Sequence, residues 1–242
     1  MAVERDTAEG RRFCVEFERR LVSGGADRMS APFMAAEQRS FITSRLDTLS
    51  SFDPEAGGGF RSDFDLNPDL KSLEPVKLRE AAVLIPLVER PEGLTVILTR
   101  RADTLRNHAG QIGFPGGRMD PGETPWDAAL READEEIALN PALVHLAGLS
   151  TPYRTGTGYH VIPVVGFIKP GFTLTASAAE VADVFETPFD FLMDPSNHHR
   201  RSYEMPDGGK RWFYAMPWGE RLIWGATAGM LRALWQRLYG ED

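Results

Sequence analysis

Apolar positions along this chain follow two kinds of pattern, and the texture changes near residue 75. From Arg79 onward, "REAAVLIPLVER" and "LTVILTRRA" are apolar runs rich in β-branched side chains, separated by "PEG". Two such runs around a turn predict a β-hairpin. Further strands are expected at "LVHLAGLST", "YHVIPVVGFI" and "EVADVFETP". The stretch "RSYEMPDGGKRWFYAM" predicts a second hairpin turning on Asp207, Gly208 and Gly209. Two segments are helical in period instead, "TPWDAALREADEEIAL" and "GATAGMLRALWQRLY". The second places Met230, Leu231, Leu234, Trp235 and Leu238 on one face. Mixed strands with two solid helices predict an α/β sandwich.

Upstream, "EGRRFCVEFERRLVSGG" and "AAEQRSFITSRLDTL" predict two short amphipathic helices. The joint "SSFDPEAGGGFRSDFDLNPD" reads as a solvated linker, and its acids lack the spacing of a calcium-binding hand. The expected division is a helical N-terminal extension over residues 1–75 and one domain over residues 76–242. Met29 and Met34 each offer an alternative start, and no chemistry is assigned to the extension.

Composition narrows the function. Apolar content of 42% and charged content of 26% are those of a globular protein. A net charge of -8 argues against a broad basic face for nucleic acid. An anionic substrate would need a local basic site or a metal. The single cysteine, Cys14, rules out an intrachain disulfide and a cysteine-based zinc site. "MAVERDTAEGRR" lacks the apolar core of a signal peptide, and runs such as "VIPVVGFI" are too short to cross a bilayer. A cytoplasmic protein without a membrane partner is expected.

The stretch "READEEIAL" puts Glu132, Asp134, Glu135 and Glu136 within five positions of a helix. Like charges three or four apart cost about 0.2–0.5 kcal/mol per pair. Thr124 suits the N-cap, Pro125 the first helical position and Asp127 the capping-box acid. At 3.6 residues per turn, Glu132, Glu135 and Glu136 share an arc of about 100°. Trp126, Ala129, Leu130, Ala133 and Ile137 fill the arc beside it, and Asp134 points elsewhere. Arg131 can reach Asp127 or Glu135 one turn away. Clustered hard oxygens suit Mg²⁺ or Mn²⁺. The bland alternative is a solvated acidic face.

The segment "GRMDPGETPWDAALREADEEIAL" resembles the Nudix box, Gly-x5-Glu-x7-Arg-Glu-U-x-Glu-Glu-x-Gly-U, where U is aliphatic. Gly117, Glu123, Arg131, Glu132, Glu135, Glu136 and Leu139 fall on its positions, and Ala133 takes the first aliphatic place. Ala138 stands where the pattern has Gly, so the helix is expected to end a turn later, at Asn140 and Pro141. The resemblance implies a Nudix α/β/α sandwich around a mixed sheet. It also implies a metal-dependent hydrolase of a nucleoside diphosphate linked to another group. On that basis Glu132 and Glu136 are metal ligands, Glu135 a third, and the Gly116 carbonyl a fourth. Glu123 is a supporting ligand or an acceptor behind the ligands, Arg131 orients Glu132 or Glu135, and Glu132 is the first candidate base. The implied catalytic set is Glu132, Arg131 and Glu135.

A second pattern, "ILTRRADTLRNHAGQIGFPGG", resembles the signature of the coenzyme A pyrophosphatase branch of that family. Leu98, Thr99, Arg101, Ala102, Arg106, Gly110 and Phe114 to Gly117 match it, with Ile97 in place of Leu. With "GYHVIPVVGF", "EVADVFETPFDFL" and "IWGATAGML" the resemblance covers about residues 79–240. It implies Arg101, Arg106, Gly110 and Phe114 as substrate-binding residues. The implied reaction takes coenzyme A or an acyl-coenzyme A to 3′,5′-ADP and a 4′-phosphopantetheine product. Four Arg and His108 against Asp103 make residues 100–118 a local basic patch, as a phosphate-rich substrate needs.

Several alternatives stay open. The same chemistry could act on ADP-ribose, NADH or a dinucleoside polyphosphate. A non-catalytic Nudix binding module is the rival of another class, and the retained box glutamates argue against it. A P-loop is excluded, because "GFPGGRM" has no following Gly-Lys-Ser/Thr. Arg100 and Arg118 are read as solvated or paired with the box acids. His108 is a phosphate contact or a packed ring, and His160, His198 and His199 share no ligand spacing. Trp212, Trp218, Trp224 and Trp235 predict core or homodimer packing ahead of an adenine platform. Glu180 is either a further metal ligand or base, or the acid of a Ser177 capping box.

Overall fold

A computed structural model describes residues 31–53, 59–75, 77–105, 107–206 and 208–240. Nine strands form one mixed sheet: β1 (Arg61–Ser62), β2 (Arg79–Arg90), β3 (Gly93–Arg101), β4 (Ile112–Gly113), β5 (Gly116–Arg118), β6 (Val144–Leu149), β7 (Tyr153–Arg154), β8 (Tyr159–Ile168) and β9 (Val181–Pro188). Three more, β10 (His199–Glu204), β11 (Lys210–Trp218) and β12 (Arg221–Trp224), form a second, antiparallel sheet. The helices are α1 (Ala31–Ser44), α2 (Pro125–Ile137), α3 (Phe189–Met193) and α4 (Ala226–Tyr239).

Strand β2 is the spine. It runs parallel to β8 from Arg79↔Tyr159 to Val88↔Ile168. Its other edge is shared, by β3 at Leu87↔Val96 and by β5 at Val83↔Gly116. Alternate side chains enter two different cores. Ala81, Ile85 and Leu87 pack with Ile42 of α1 and Leu231 and Leu234 of α4. Ala82, Leu84 and Val88 pack with Ala128, Ala129, Ala133 and Ile137 of α2. A strand buried on both faces reads as a nearly continuous apolar run, which is the pattern of "AAVLIPLV". Helices on both faces of the sheet make the expected α/β/α sandwich.

Both hairpins and the C-terminal helix form where the sequence predicts them. Asp207 of the second turn, the first amphipathic segment and Cys14 lie outside the described residues. Helix α1 begins at Ala31, ahead of the quoted "AAEQ" start. Among the described residues, no helix is long and apolar enough to cross a membrane.

The stretch read as a solvated linker is corrected over residues 59–73. Strand β1 pairs in parallel with β7, and Phe64 and Asn67 are buried. Asp63 accepts from the Tyr153 hydroxyl (2.9 Å) and the Gly156 N–H (2.7 Å), and Arg211 lies 3.6 Å away. Asn67 donates to the Trp212 carbonyl and accepts from the Trp212 N–H. Asp63, one of the acids that make this stretch look solvated, is a hydrogen-bond acceptor for the domain, and buried Phe64 is an anchor.

The Tyr153 ring is buried, lies on the backbone of Gly229 and has its pKa raised chiefly by burial. Tyr153→Phe removes the hydroxyl and leaves Asp63 its other partners, so a loss of about 1 kcal/mol is expected. Denaturant unfolding of the two proteins checks it, and an unchanged midpoint would contradict the bond.

Candidate active site

Helix α2 starts as its sequence dictates. The Thr124 hydroxyl oxygen accepts from the Asp127 N–H (3.2 Å) and the hydroxyl donates to the Asp127 carboxylate (2.5 Å). Its end differs from expectation. Ala138 itself takes the left-handed conformation, at φ 53° and ψ 35°. The Ala138 and Leu139 N–H groups then close back onto Asp134 and Ala133. Asn140 instead caps a following 3₁₀ turn, accepting from the Ala142 N–H. Leu139 is 1% exposed. Its burial in the α2 core offsets the roughly 1–2 kcal/mol that a left-handed non-glycine residue costs.

The helix faces two glycines. Gly116 in β5 has φ 153°, and a side chain there would collide with the Ala82 carbonyl and Val83 Cα of β2. A Cβ on Gly117 would lie 2.5 Å from the Glu132 carboxyl carbon. The bare Gly117 lets Glu132 close onto β5, and the bare Gly116 lets β5 lie against β2 with its N–H 3.2 Å from the Glu136 carboxylate.

Arg131 organises the acids. Its Nε and one terminal nitrogen donate to both oxygens of Glu123 (2.8 and 3.0 Å). Its other terminal nitrogen meets Glu132 at 2.9 Å and Glu135 at 3.5 Å. It also donates to the Arg118 carbonyl (3.1 Å). Sequence reasoning paired Arg131 with Asp127 or Glu135 and missed Glu123. The box spacing, with seven residues between this acid and this arginine, was the available signal. The Arg131 bonds and the Asp120 N–H hold the Glu123 carboxyl down at about 2. Glu123 is thus an anchor for Arg131.

Glu136 is 5% exposed, and burial pushes its carboxyl up to about 7. The Gly116 N–H (3.2 Å) and the Arg101 charge oppose that rise, while Glu132 and Glu180 add to it. Glu132 is raised too, chiefly by burial, with Arg131 opposing and Glu135 and Glu180 reinforcing. The Arg101 Nε is buried without a hydrogen-bond partner.

Glu180 lies near enough to raise the pKa of Glu132 and Glu136, and backbone bonds tie its segment to α2 and to the end of β3. The Ser177 N–H donates to the Glu136 carbonyl (2.8 Å), and the Ala102 N–H to the Glu180 carbonyl (2.8 Å). The capping-box reading of Ser177 fails, because residues 178–180 make one turn and enter β9 directly.

Other expectations divide. Phe114 is buried in the core shared with α4. Gly110 makes a turn at φ 69°, against Asp103. Arg100 pairs with Asp103 at 2.9 Å and not with the box acids. His108 is exposed and bonds Gln111. His160 pairs with Glu80, and buried His198 bonds the Leu192 carbonyl. Trp218 packs on Phe191, Trp224 on Phe213 and Trp235 on His198, all three half-buried, whereas Trp212 is exposed under Arg200, so the core-packing expectation does not hold for Trp212. Arg106 lies outside the described residues.

Among the described residues no group of three or more acids, histidines or cysteines is placed to hold a metal ion together, and Arg131 contacts Glu123, Glu132 and Glu135. The donor set nevertheless fits a hard cation. It is all oxygen, it is partly buried, and its members raise one another's pKa, a repulsion that a cation relieves.

A model of the NUDIX domain matches residues 78–205. The chain belongs to the Nudix family. It is 42% identical over 162 residues to the uncharacterized Nudix hydrolase NudL of Yersinia pestis (strain Pestoides F), covering 66% of this chain and 80% of that one. The NudL of Yersinia pseudotuberculosis serotype O:1b matches equally. Solved structures of similar fold include a C. elegans Ap4A hydrolase binary complex, with TM-score 0.41 and 19% identity over 46% of this chain and 80% of that one. The NUDIX domain of Shewanella oneidensis NrtR complexed with ADP ribose has TM-score 0.37 and 20% identity, over 61% and 85%. This Nudix protein is a pyrophosphohydrolase, of a family that depends on divalent metal.

The Glu136 shift has a consequence for the metal-free enzyme. With its pKa raised from 4.5 to about 7, the folded state holds this proton more tightly than the unfolded chain. The stabilisation is full at low pH and is lost as pH rises through the folded value. In EDTA, Glu136→Gln is therefore expected to raise the unfolding temperature near pH ~8 and not near pH ~5. Thermal scans at both pH values check this, and an equal shift at both would contradict it.

Proposed function

We propose that this Nudix hydrolase cleaves the diphosphate of coenzyme A or an acyl-coenzyme A, releasing 3′,5′-ADP and the (acyl-)4′-phosphopantetheine. The reading rests on the branch signature from Ile97 to Gly117 together with one observation. Arg101, a signature position, has a buried, unpartnered Nε and a charge felt at Glu136. A guanidinium donor left open beside a carboxylate cluster suits a phosphate oxygen.

Glu132 and Glu136 would hold Mg²⁺ or Mn²⁺, with Glu135, the Gly116 carbonyl and Glu180 as further oxygens. Bound there, the cation supplies charge neutralisation of the diphosphate and a lowered pKa for water. Glu132 takes the proton of the attacking water, since burial has already raised its proton affinity. Arg131, fixed by Glu123, keeps the Glu132 carboxylate from rotating away. Glu135 is largely exposed and close to Arg131, which suits an outer ligand. Arg101 and Arg106 receive the phosphates, while Gly110 and Phe114 shape the loop that carries them. A cytoplasmic location accompanies this reading, and a single cysteine agrees with a reducing compartment.

A second reading keeps the chemistry and changes the substrate to a diphosphate without a 3′-phosphate, such as ADP-ribose. The Arg100–Asp103 pair favours it, because it commits one cation of the basic patch.

Chromatography of products after incubation with coenzyme A and Mn²⁺, with and without EDTA, tests the proposal. Metal-dependent 3′,5′-ADP is expected, with strong preference over 3′-dephospho-coenzyme A. Indifference between the two would favour the second reading. Glu132→Gln should lower kcat by roughly 10²–10⁴ with the fold intact. Undiminished turnover in that variant would overturn the assignment of Glu132.

A further inference from the structure

Residues 41–52 cross an edge of the main sheet and join its two cores. Phe41 packs on Tyr239 of α4 (5.5 Å), and Ile42 and Leu46 are buried with them. Asp47 then exchanges two backbone hydrogen bonds with Leu149 of β6 (3.0 and 2.9 Å). Gly148 permits the crossing. Its φ is 153°, and a side chain there would lie 2.5 Å from the Asp47 carbonyl. Arg237 of α4 locks the crossing from outside, donating to the Arg45 carbonyl (2.6 Å) and the Asp47 carboxylate. Beyond it, Leu49 and Phe52 enter the α2 core, and Phe52 meets Trp126 edge-on at 6.1 Å.

Trp126 stands in the first turn of α2, three residues after Glu123. The fully buried contact of α2 with the sheet is made by Ala128, Ala129, Ala133 and Ile137. Three alanines set a short helix–sheet distance but give little resistance to rotation or sliding of the helix. The large side chain that supplies that resistance at the N-terminal end is Trp126, and Phe52 buttresses it. Glu132 and Glu136 must hold their geometry to a fraction of an ångström for phosphoryl chemistry.

We infer that residues 41–52 are an intramolecular clasp that sets the position of the catalytic helix, with Phe52 a positioning residue acting through Trp126. The inference rests on the reading that the α2 carboxylates hold the cation.

The test compares Phe52→Ala and Phe52→Leu with Phe213→Ala in the full chain. Phe213 packs on Trp224 in the second sheet and is not part of the α2 core, so its truncation removes a similar ring outside that core. Hydrogen exchange of the α2 amides in metal-free protein is read first, then Mn²⁺ affinity by electron paramagnetic resonance. Phe52→Ala is expected to speed exchange in the first turns of α2 and to weaken Mn²⁺ binding several-fold. It should lower kcat on whichever diphosphate the wild type cleaves by roughly tenfold or more, with KM little changed. Phe52→Leu should recover part of each loss, and Phe213→Ala should affect stability alone. Indistinguishable α2 exchange in Phe52→Ala and Phe213→Ala would overturn the clasp. A wild type that binds no Mn²⁺ would remove the metal reading, and the exchange comparison would still decide the clasp. Should Phe52→Ala fail to fold, Phe52→Leu carries the same comparison.

Discussion

The closeness of helix α2 to the backbone of β5 is the constraint from which the site follows. Gly117 has no space for a Cβ because the Glu132 carboxyl occupies it, and Gly116 has none because β2 does. Two carboxylates are thereby pressed between a helix and a sheet, where ionisation is expensive. Three contacts answer that expense. The Gly116 N–H serves Glu136, Arg131 serves Glu132, and the Arg101 charge reaches Glu136.

Arg131 shows how one cation organises several acids without cancelling them. Its fork is taken mainly by Glu123, which lies outside the helix and stays ionised under all ordinary conditions. The remaining donors touch Glu132 and, more distantly, Glu135. Orientation is therefore imposed by the Glu123 pair, while Glu136 is left free of it. A Lys could not do this, since a point charge lacks the planar fork that grips one acid and steers another.

Much of this was legible in the sequence wherever periodicity or fixed spacing carries the information. The β2 run, the Thr124 cap and the clustering of Glu132 and Glu136 all follow from rules of local structure. Failures arose where long-range packing decides. Ala138 takes the turn because Leu139 is buried, and nothing local favours an alanine there over Asn140. Asp63 and Asn67 looked like linker residues because their partners, Tyr153, Gly156 and Trp212, are far along the chain. Phe114 matched a functional signature, and its burial in the core could not be read from that match. Phe52 left no periodic trace at all, since a segment crossing a sheet edge has no repeat to display.

The chain's net charge of -8 poses a last electrostatic question, because the reaction requires an anionic diphosphate to approach an acidic protein. The clustered acids add local repulsion, and burial with Glu132 and Glu180 nearby pushes the Glu136 carboxyl up to about 7, which favours its protonated form. A divalent cation competes with that proton. Its binding must tighten as pH rises through that value, since fewer protons remain to be displaced. On the proposed reading, Glu132 and Glu136 would hold the cation, which would supply positive charge where a phosphate has to bind. On the same reading, packing carboxylates against Gly116 and Gly117 would strengthen their hold on that ion, because a cation would relieve the cost of their burial. A cluster relaxed into solvent would cost less stability and would bind the cation more weakly.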